Sequence, residues 1–221
     1  MLLVLPLLLY LGFWQLDRAG QKQVMFDRFG AAEDALDFND VADQSPESLR
    51  YRKVRLRGRY LPERQFLLEG MFHESRPGLH VLTPLQLADG AGIVLVNRGW
   101  IPETLTRETR PDLSVAGSWG DIQGRVVPYP QPGMRLGGEP EEGWPQRVVY
   151  PTPAEIAAAL QTEILPHLIW LDSAAADGFV RAWKPAEFGP ARHIGYAVQW
   201  FALAFTLILL YIIFKFRRHD D

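Results

Sequence analysis

The chain has 221 residues, with 23 lysines and arginines against 26 aspartates and glutamates, a net charge of -3 and a pI near 6.0. A length of this order holds one domain of about 100–200 residues with short additions, and the slight acidity lacks the basic field that a nucleic-acid binder needs to displace counterions. There is no cysteine, which excludes disulfides, thiolate metal centres, iron–sulfur clusters and a thiol nucleophile.

Apolar residues concentrate at the two ends. Met1 to Leu16 is apolar, without the basic flank and small-residue cleavage site of a signal peptide, so a retained anchor is expected. Sixteen helical residues reach only about 24 Å, and the true start is therefore expected upstream of Met1. The helical pattern continues through Asp17 to Phe29, and Gly30 to Ser48 reads as a loop. Tyr51 to Tyr60 places Val54, Leu56 and Gly58 between basic residues, the period of a half-buried strand. Further strands are expected at Arg64–Glu69, Leu79–Leu87 and Ile93–Trp100, with an Asp89-Gly90 hairpin turn before the last, in an antiparallel meander. Asp121 to Tyr129 adds another, and the Pro/Gly-rich stretch to Pro145 reads as a long loop. Thr152-Pro153-Ala154-Glu155 is a capping box that opens a short helix, and His167 to Leu171 is the final candidate strand.

Ile194 to Phe214 carries no charge over 21 residues, roughly 31 Å of helix, which matches a hydrocarbon core. Lys215, Arg217 and Arg218 follow it and place that end in the cytoplasm. The expected architecture is a multi-pass inner-membrane protein: transmembrane helices at 1–17 and 193–214 flank one mainly antiparallel β (α+β) extramembrane domain at 18–192. The domain would face the periplasm, with residues 215–221 a cytoplasmic tail and both termini on the cytoplasmic side.

Chemical motifs are few. The sequence holds no phosphate-binding loop, dinucleotide fingerprint, His-Glu-x-x-His zinc helix or Gly-x-Ser-x-Gly elbow. Glu139, Glu141 and Glu142 read as solvated loop carboxylates, and His73 and His80 as surface histidines without a third metal ligand. The basic row Arg50, Arg52, Lys53, Arg55, Arg57 and Arg59 reads first as edge protection and second as a site for an anionic partner or lipid headgroups. Arg98 and Trp100 are expected at a corner where the central strand leaves the sheet, with Gly99 supplying a close backbone approach and Pro102 stopping the ladder. His193 stands one residue outside the second span, followed by Tyr196 and Gln199, which are expected on the same helical face. Two readings stand for it: an anchor among the headgroups, or an axial ligand for a haem lying beside Trp200 and Phe201.

Four segments together resemble the Surfeit-locus family of cytochrome oxidase assembly factors: Leu11-Gly-Phe-Trp-Gln-Leu-Asp-Arg18 with Lys22; Tyr51-Arg52 through Val54, Gly58 and Tyr60; Val81-Leu-Thr-Pro84 leading to Val96-Asn-Arg-Gly-Trp-Ile-Pro102; and Arg192-His193 with Tyr196-Ala197 and Gln199-Trp-Phe201. The sequence departs from the family pattern at Glu69-Gly70, where an Asp-Asn pair is expected. The resemblance implies a non-enzymatic role in building the haem a-containing subunit of a haem–copper oxidase, with haem a as a transient ligand. It places the ligand histidine at His193, with Arg192 facing a propionate and Tyr196, Gln199 and Trp200 nearby. Expected partners are the oxidase catalytic subunit, haem a synthase and the lipid bilayer. The competing readings are a scaffold that never touches haem, and a membrane-anchored hydrolase, for which no nucleophile–base set is apparent.

Overall fold

A computed structural model describes residues 3–31, 33–103, 112–115, 117–130, 143–185 and 188–217. The three loop glutamates and Arg218 lie outside them. The chain divides into two compact units, Met1–Ala31 with Pro185–Asp221, and Ala32–Lys184.

The first unit is a helix pair. Helix α1 runs Val4–Gly30 and helix α3 runs Pro190–Arg217. They are antiparallel, since Gly12 lies against Phe201 while Gly189, near the start of α3, lies against Phe26. Each buries small residues seven apart, Gly12 and Ala19 on α1, Ala197 and Ala204 on α3. That spacing keeps one narrow stripe of each helix turned to the other, and small side chains let the backbones approach closely, which is how helices associate in an apolar solvent. Many other apolar residues of the pair, among them Phe205, Leu209 and Ile213, are exposed. Among the described residues one helix, Pro190–Phe216, is long and apolar enough to cross a membrane. In α1 the uncharged run ends at Leu16, before Asp17 and Arg18.

The second unit is a barrel-like sheet with the strand order β1-β2-β6-β8-β5-β4-β3-β7, in which β2 also pairs with β4. The strands are β1 Leu36–Asp37, β2 Lys53–Tyr60, β3 Phe66–His73, β4 Arg76–Leu87, β5 Ile93–Pro102, β6 Gly120–Val127, β7 Gln146–Val148 and β8 Leu168–Leu171. Most neighbours are antiparallel, but β1–β2, β3–β7 and β5–β8 are parallel, so the sheet is mixed rather than a pure meander. The alternation in β2 buries Val54, Leu56, Gly58 and Tyr60 and exposes Arg55, Arg57 and Arg59. Arg55 stands opposite Asp37 and Gln123, and Arg57 opposite Asp121. These flanking groups temper the basic row.

Closure happens at Gly58. Strand β2 pairs with β6 from Lys53 to Gly58 and with β4 from Gly58 to Tyr60. A Cβ at Gly58 would lie 2.6 Å from the Gln86 carbonyl and 2.8 Å from Leu85, so the corner requires the missing side chain. The enclosed core holds Val54, Leu56, Leu85, Val96, Val126 and Ile169 among others. Gly70, at φ 73, sits at a register shift in β3, and Glu69 beside it pairs with Arg147 of β7 at 2.8 Å. The pair that departs from the family pattern thus makes a bulge and an ion pair between neighbouring strands. Helix α2, Pro153–Leu160, has the expected capping box: Thr152 Oγ1 accepts from the Glu155 backbone and Glu155 accepts from the Thr152 backbone.

Candidate functional site

His193 lies in the first turn of α3, half-buried on the side that meets α1. Its Nδ1 is 2.8 Å from Oε1 of Gln15. An amide oxygen only accepts, so the imidazole donates from Nδ1 and keeps the lone pair on Nε2. No hydrogen bond to Nε2 occurs among the described residues. The pair also marks a level on both helices: Gln15 stands two residues before Asp17, and His193 one residue before the uncharged run of α3 begins at Ile194. The polar ends of the two apolar stretches therefore coincide at this hydrogen bond.

The other expected site residues distribute around the same end of α3. Ala197 and Trp200, one and two turns beyond His193, are buried and half-buried on the α1 side, whereas Tyr196 and Gln199 are exposed. The helical repeat places Tyr196 and Gln199 on the flank rather than on the seam with His193. The Arg192 guanidinium lies over the Phe188 ring, 3.7 Å from its centroid, and 6.0 Å from that of Tyr196. Two aromatic faces hold the cation of this exposed residue. Phe201 meets Phe13 edge to face at 5.2 Å. Gln15 was missed as a functional candidate, although a lone amide in an apolar run is the type of signal that marks a partner in the membrane.

In the second unit, His80 is not the surface group expected, whereas His73 keeps 27% of its side chain exposed. His80 is largely enclosed, with its ring edge on Trp183 at 5.5 Å, and burial pushes its pKa down to about 4. Asn97 Oδ1 accepts from the Gly99 N–H, and its Nδ2 donates to His80 Nδ1 at 3.0 Å, so His80 is held neutral with its proton on Nε2. His73 packs against Trp100 at 5.2 Å. His167 is sealed, packed edge-on to Phe38, its Nε2 3.0 Å from the Gln44 carbonyl, and burial lowers its pKa. Among the described residues no group of three or more histidines and carboxylates converges to hold a metal.

Among the described residues Arg98 is the largest fully buried side chain, 1% exposed. Its guanidinium donates to the carbonyls of Asp177, Leu113 and Ser114 and to Gln65 Oε1, at 2.7–3.1 Å. It lies over the Phe179 ring at 5.0 Å, and desolvation works against its charge. No carboxylate pairs with it directly among these contacts. Four oxygens from three segments share the cation, which makes Arg98 a tie between β5 and the stretches around residues 113 and 178. The strand does not leave the sheet at the expected corner, since β5 stays paired with β4 through Pro102; the close backbone approach is there, for Gly99 has φ 117, and a Cβ on it would stand 2.7 Å from the Val180 carbonyl, whose oxygen accepts from the Trp100 N–H.

The chain is similar to known proteins along most of its length. A SURF1-like protein of Rickettsia felis is 24% identical over 225 residues, covering 97% of this chain and 94% of its own. One from Rickettsia conorii is 23% identical over 96% of this chain and 88% of its own. One from Drosophila melanogaster reaches 34% identity over half of this chain and 43% of its own. The sequence profile of the SURF1 family matches residues 2–205. The chain belongs to the SURF1 family, generally known as oxidase assembly factors and not as a class of enzymes.

Proposed function

We propose that this protein holds haem a as cargo at the end of its helix pair and passes it to the catalytic subunit of a haem–copper oxidase. The observation that carries this reading is His193: a half-buried imidazole at the coincident polar ends of two apolar helices, with Nδ1 engaged by Gln15 and Nε2 uncommitted. The donor set fits the cargo. A neutral imidazole nitrogen is an ordinary axial ligand for haem iron, the aromatic and aliphatic surfaces around Trp200 and Phe201 suit an apolar macrocycle, and Arg192 suits a carboxylate at its polar edge. Tyr196 and Gln199 flank the same turn and offer a phenol and an amide to the rim of the ligand.

The same level of polarity on both helices supports two spans rather than one. In this reading α1 and α3 cross the inner membrane together, both termini are cytoplasmic because Lys215 and Arg217 follow the second apolar run, and the barrel-like unit stands in the periplasm. Such a protein would meet haem a synthase and the oxidase subunit laterally in the bilayer, so the apolar cargo need not enter water.

The test is a visible spectrum of the detergent-purified protein made in cells that synthesise haem a. The wild type should carry haem a absorption, and His193→Ala should insert normally yet lose it and lower the yield of haem-loaded oxidase. Haem a retained by the alanine variant at wild-type stoichiometry would remove His193 from the role. A wild type that never carries haem a yet still supports oxidase assembly would make the protein a scaffold.

A further inference from the structure

We infer that Gln15 is a positioning residue that fixes the His193 imidazole in its Nδ1–H form, so that Nε2 is always the nitrogen offered to iron. This rests on the haem reading of His193 and adds the partner that prepares the ligand. Three observations converge. The Gln15 amide oxygen lies 2.8 Å from Nδ1. Both side chains are half-buried between the helices, where competing water is scarce. And Gln15 belongs to α1 whereas His193 belongs to α3, so the hydrogen bond forms only when the two helices are paired.

The chemistry follows from the imidazole. A free neutral ring favours the proton on Nε2, which leaves no lone pair there for a metal. An acceptor at Nδ1 reverses that preference, fixes the ring orientation and makes Nε2 a better donor, as partners of metal-bound histidines generally do. Removing such a partner commonly weakens metal binding about 10–100-fold. An amide is a milder acceptor than a carboxylate. It strengthens the ligand without driving the imidazole toward its anion, which suits a protein that must release its cargo.

The first test needs no haem. Long-range 1H–15N spectra of the full chain in detergent, with the His193 signals identified by their absence in His193→Ala, should show the Nδ1–H form in the wild type and a shift toward Nε2–H in Gln15→Leu. A wild-type ring in the Nε2–H form, or no change in Gln15→Leu, overturns the inference whatever haem does. The second test is resonance Raman of the ferrous haem a-loaded protein. The iron–histidine stretch should fall in Gln15→Leu and rise in Gln15→Glu, which keeps an acceptor and makes it stronger, and haem retention should drop about 10–100-fold in the leucine variant only. An unmoved stretch in both variants overturns the role toward iron. Failure of the underlying reading has a different signature, His193→Ala retaining haem a, and that result also removes the role of Gln15 toward the ligand.

Discussion

Phe201 fills the space that a side chain at Gly12 would need: a Cβ on Gly12 would stand 2.6 Å from the Phe201 ring. The two residues set how closely α1 and α3 approach, and with it whether Gln15 can reach His193. Gly12→Leu should therefore destabilise the helix pair by about 1–3 kcal/mol, the usual cost of overpacking. Phe201→Ala in the same chain should restore much of it by vacating the contact. Thermal unfolding of the two variants and the double variant in detergent measures the coupling. Strictly additive losses would mean that the two residues do not share this space.

Arg98 should be irreplaceable by either a smaller or a merely cationic residue. Arg98→Met leaves the carbonyls of Ser114 and Asp177 without this donor and that of Leu113 with Gln65 Nε2 alone, and each acceptor abandoned away from water costs about 1–3 kcal/mol. Arg98→Lys keeps the charge but not the planar fork that reaches three segments, so it should also destabilise strongly. Denaturant midpoints of the full chain would check this, and a lysine variant as stable as the wild type would contradict the tie.

Trp100 is 7% exposed, and its indole N–H has no hydrogen-bond partner. The ring lies so close to Gly78 that a Cβ there would run into it. Trp100→Ala should cost about 3–5 kcal/mol. Trp100→Phe should cost far less, because the lost N–H satisfied nothing and most of the packing surface remains. Equal losses for the two variants would give the N–H a role that the geometry does not provide.

Stability should fall with acid through His80. Its folded pKa, about 4, lies below the ordinary value of 6.5 because burial opposes the charge. The unfolded chain then binds the proton first, so the contribution is complete above pH 6.5 and is lost as pH falls from there toward 4, a change of up to roughly 3 kcal/mol. His167, lowered by burial as well, acts in the same direction. His80→Gln should flatten the stability slope between pH 4.5 and 6.5, measured by denaturant unfolding at constant salt. A slope unchanged from wild type would assign the acid sensitivity elsewhere.

Local patterns in the chain translate directly where one face or one cap decides the outcome. The alternation of Lys53 to Tyr60 yields β2, and the Thr152 to Glu155 box opens α2 as expected. The length and composition of the second apolar run suffice for α3. Long-range pairing is not legible in the same way. The parallel strand β7 has three residues between loop and turn, too few to show a period, and it exists because β3 offers an open edge. The exchange of partners at Gly58 depends on where β4 lies, which the residues of β2 do not encode. Burial of polar groups was the larger miss. A histidine or arginine looks solvent-facing until its hydrogen-bond partners are known, and those of Arg98 and His80 come from segments up to 79 residues away. His193 was legible as a candidate because it stands alone at the edge of an apolar run, but its partner Gln15 lies 178 residues earlier.

The orientation of the helices is open to a direct test. Lys215 and Arg217 immediately follow the long apolar run of α3, and translocating such residues is opposed in the bilayer, so the C-terminal end should remain cytoplasmic. If α1 crosses as well, the barrel-like unit is translocated and the N-terminus stays with the C-terminus. A reporter needs a site that tolerates insertion. The tip of the β3–β4 hairpin offers one, since Glu74 and Ser75 are exposed and both take positive φ, 49 and 64, in a tight turn whose side chains support no core packing. Alkaline phosphatase inserted between Glu74 and Ser75 should be active, because it folds only outside the cytoplasm, and the same enzyme fused after Asp221 should be near background. Activity at both positions would mean that α3 does not cross with its basic end inside. Activity only after Asp221 would invert the topology and put the Gln15–His193 pair at the cytoplasmic face.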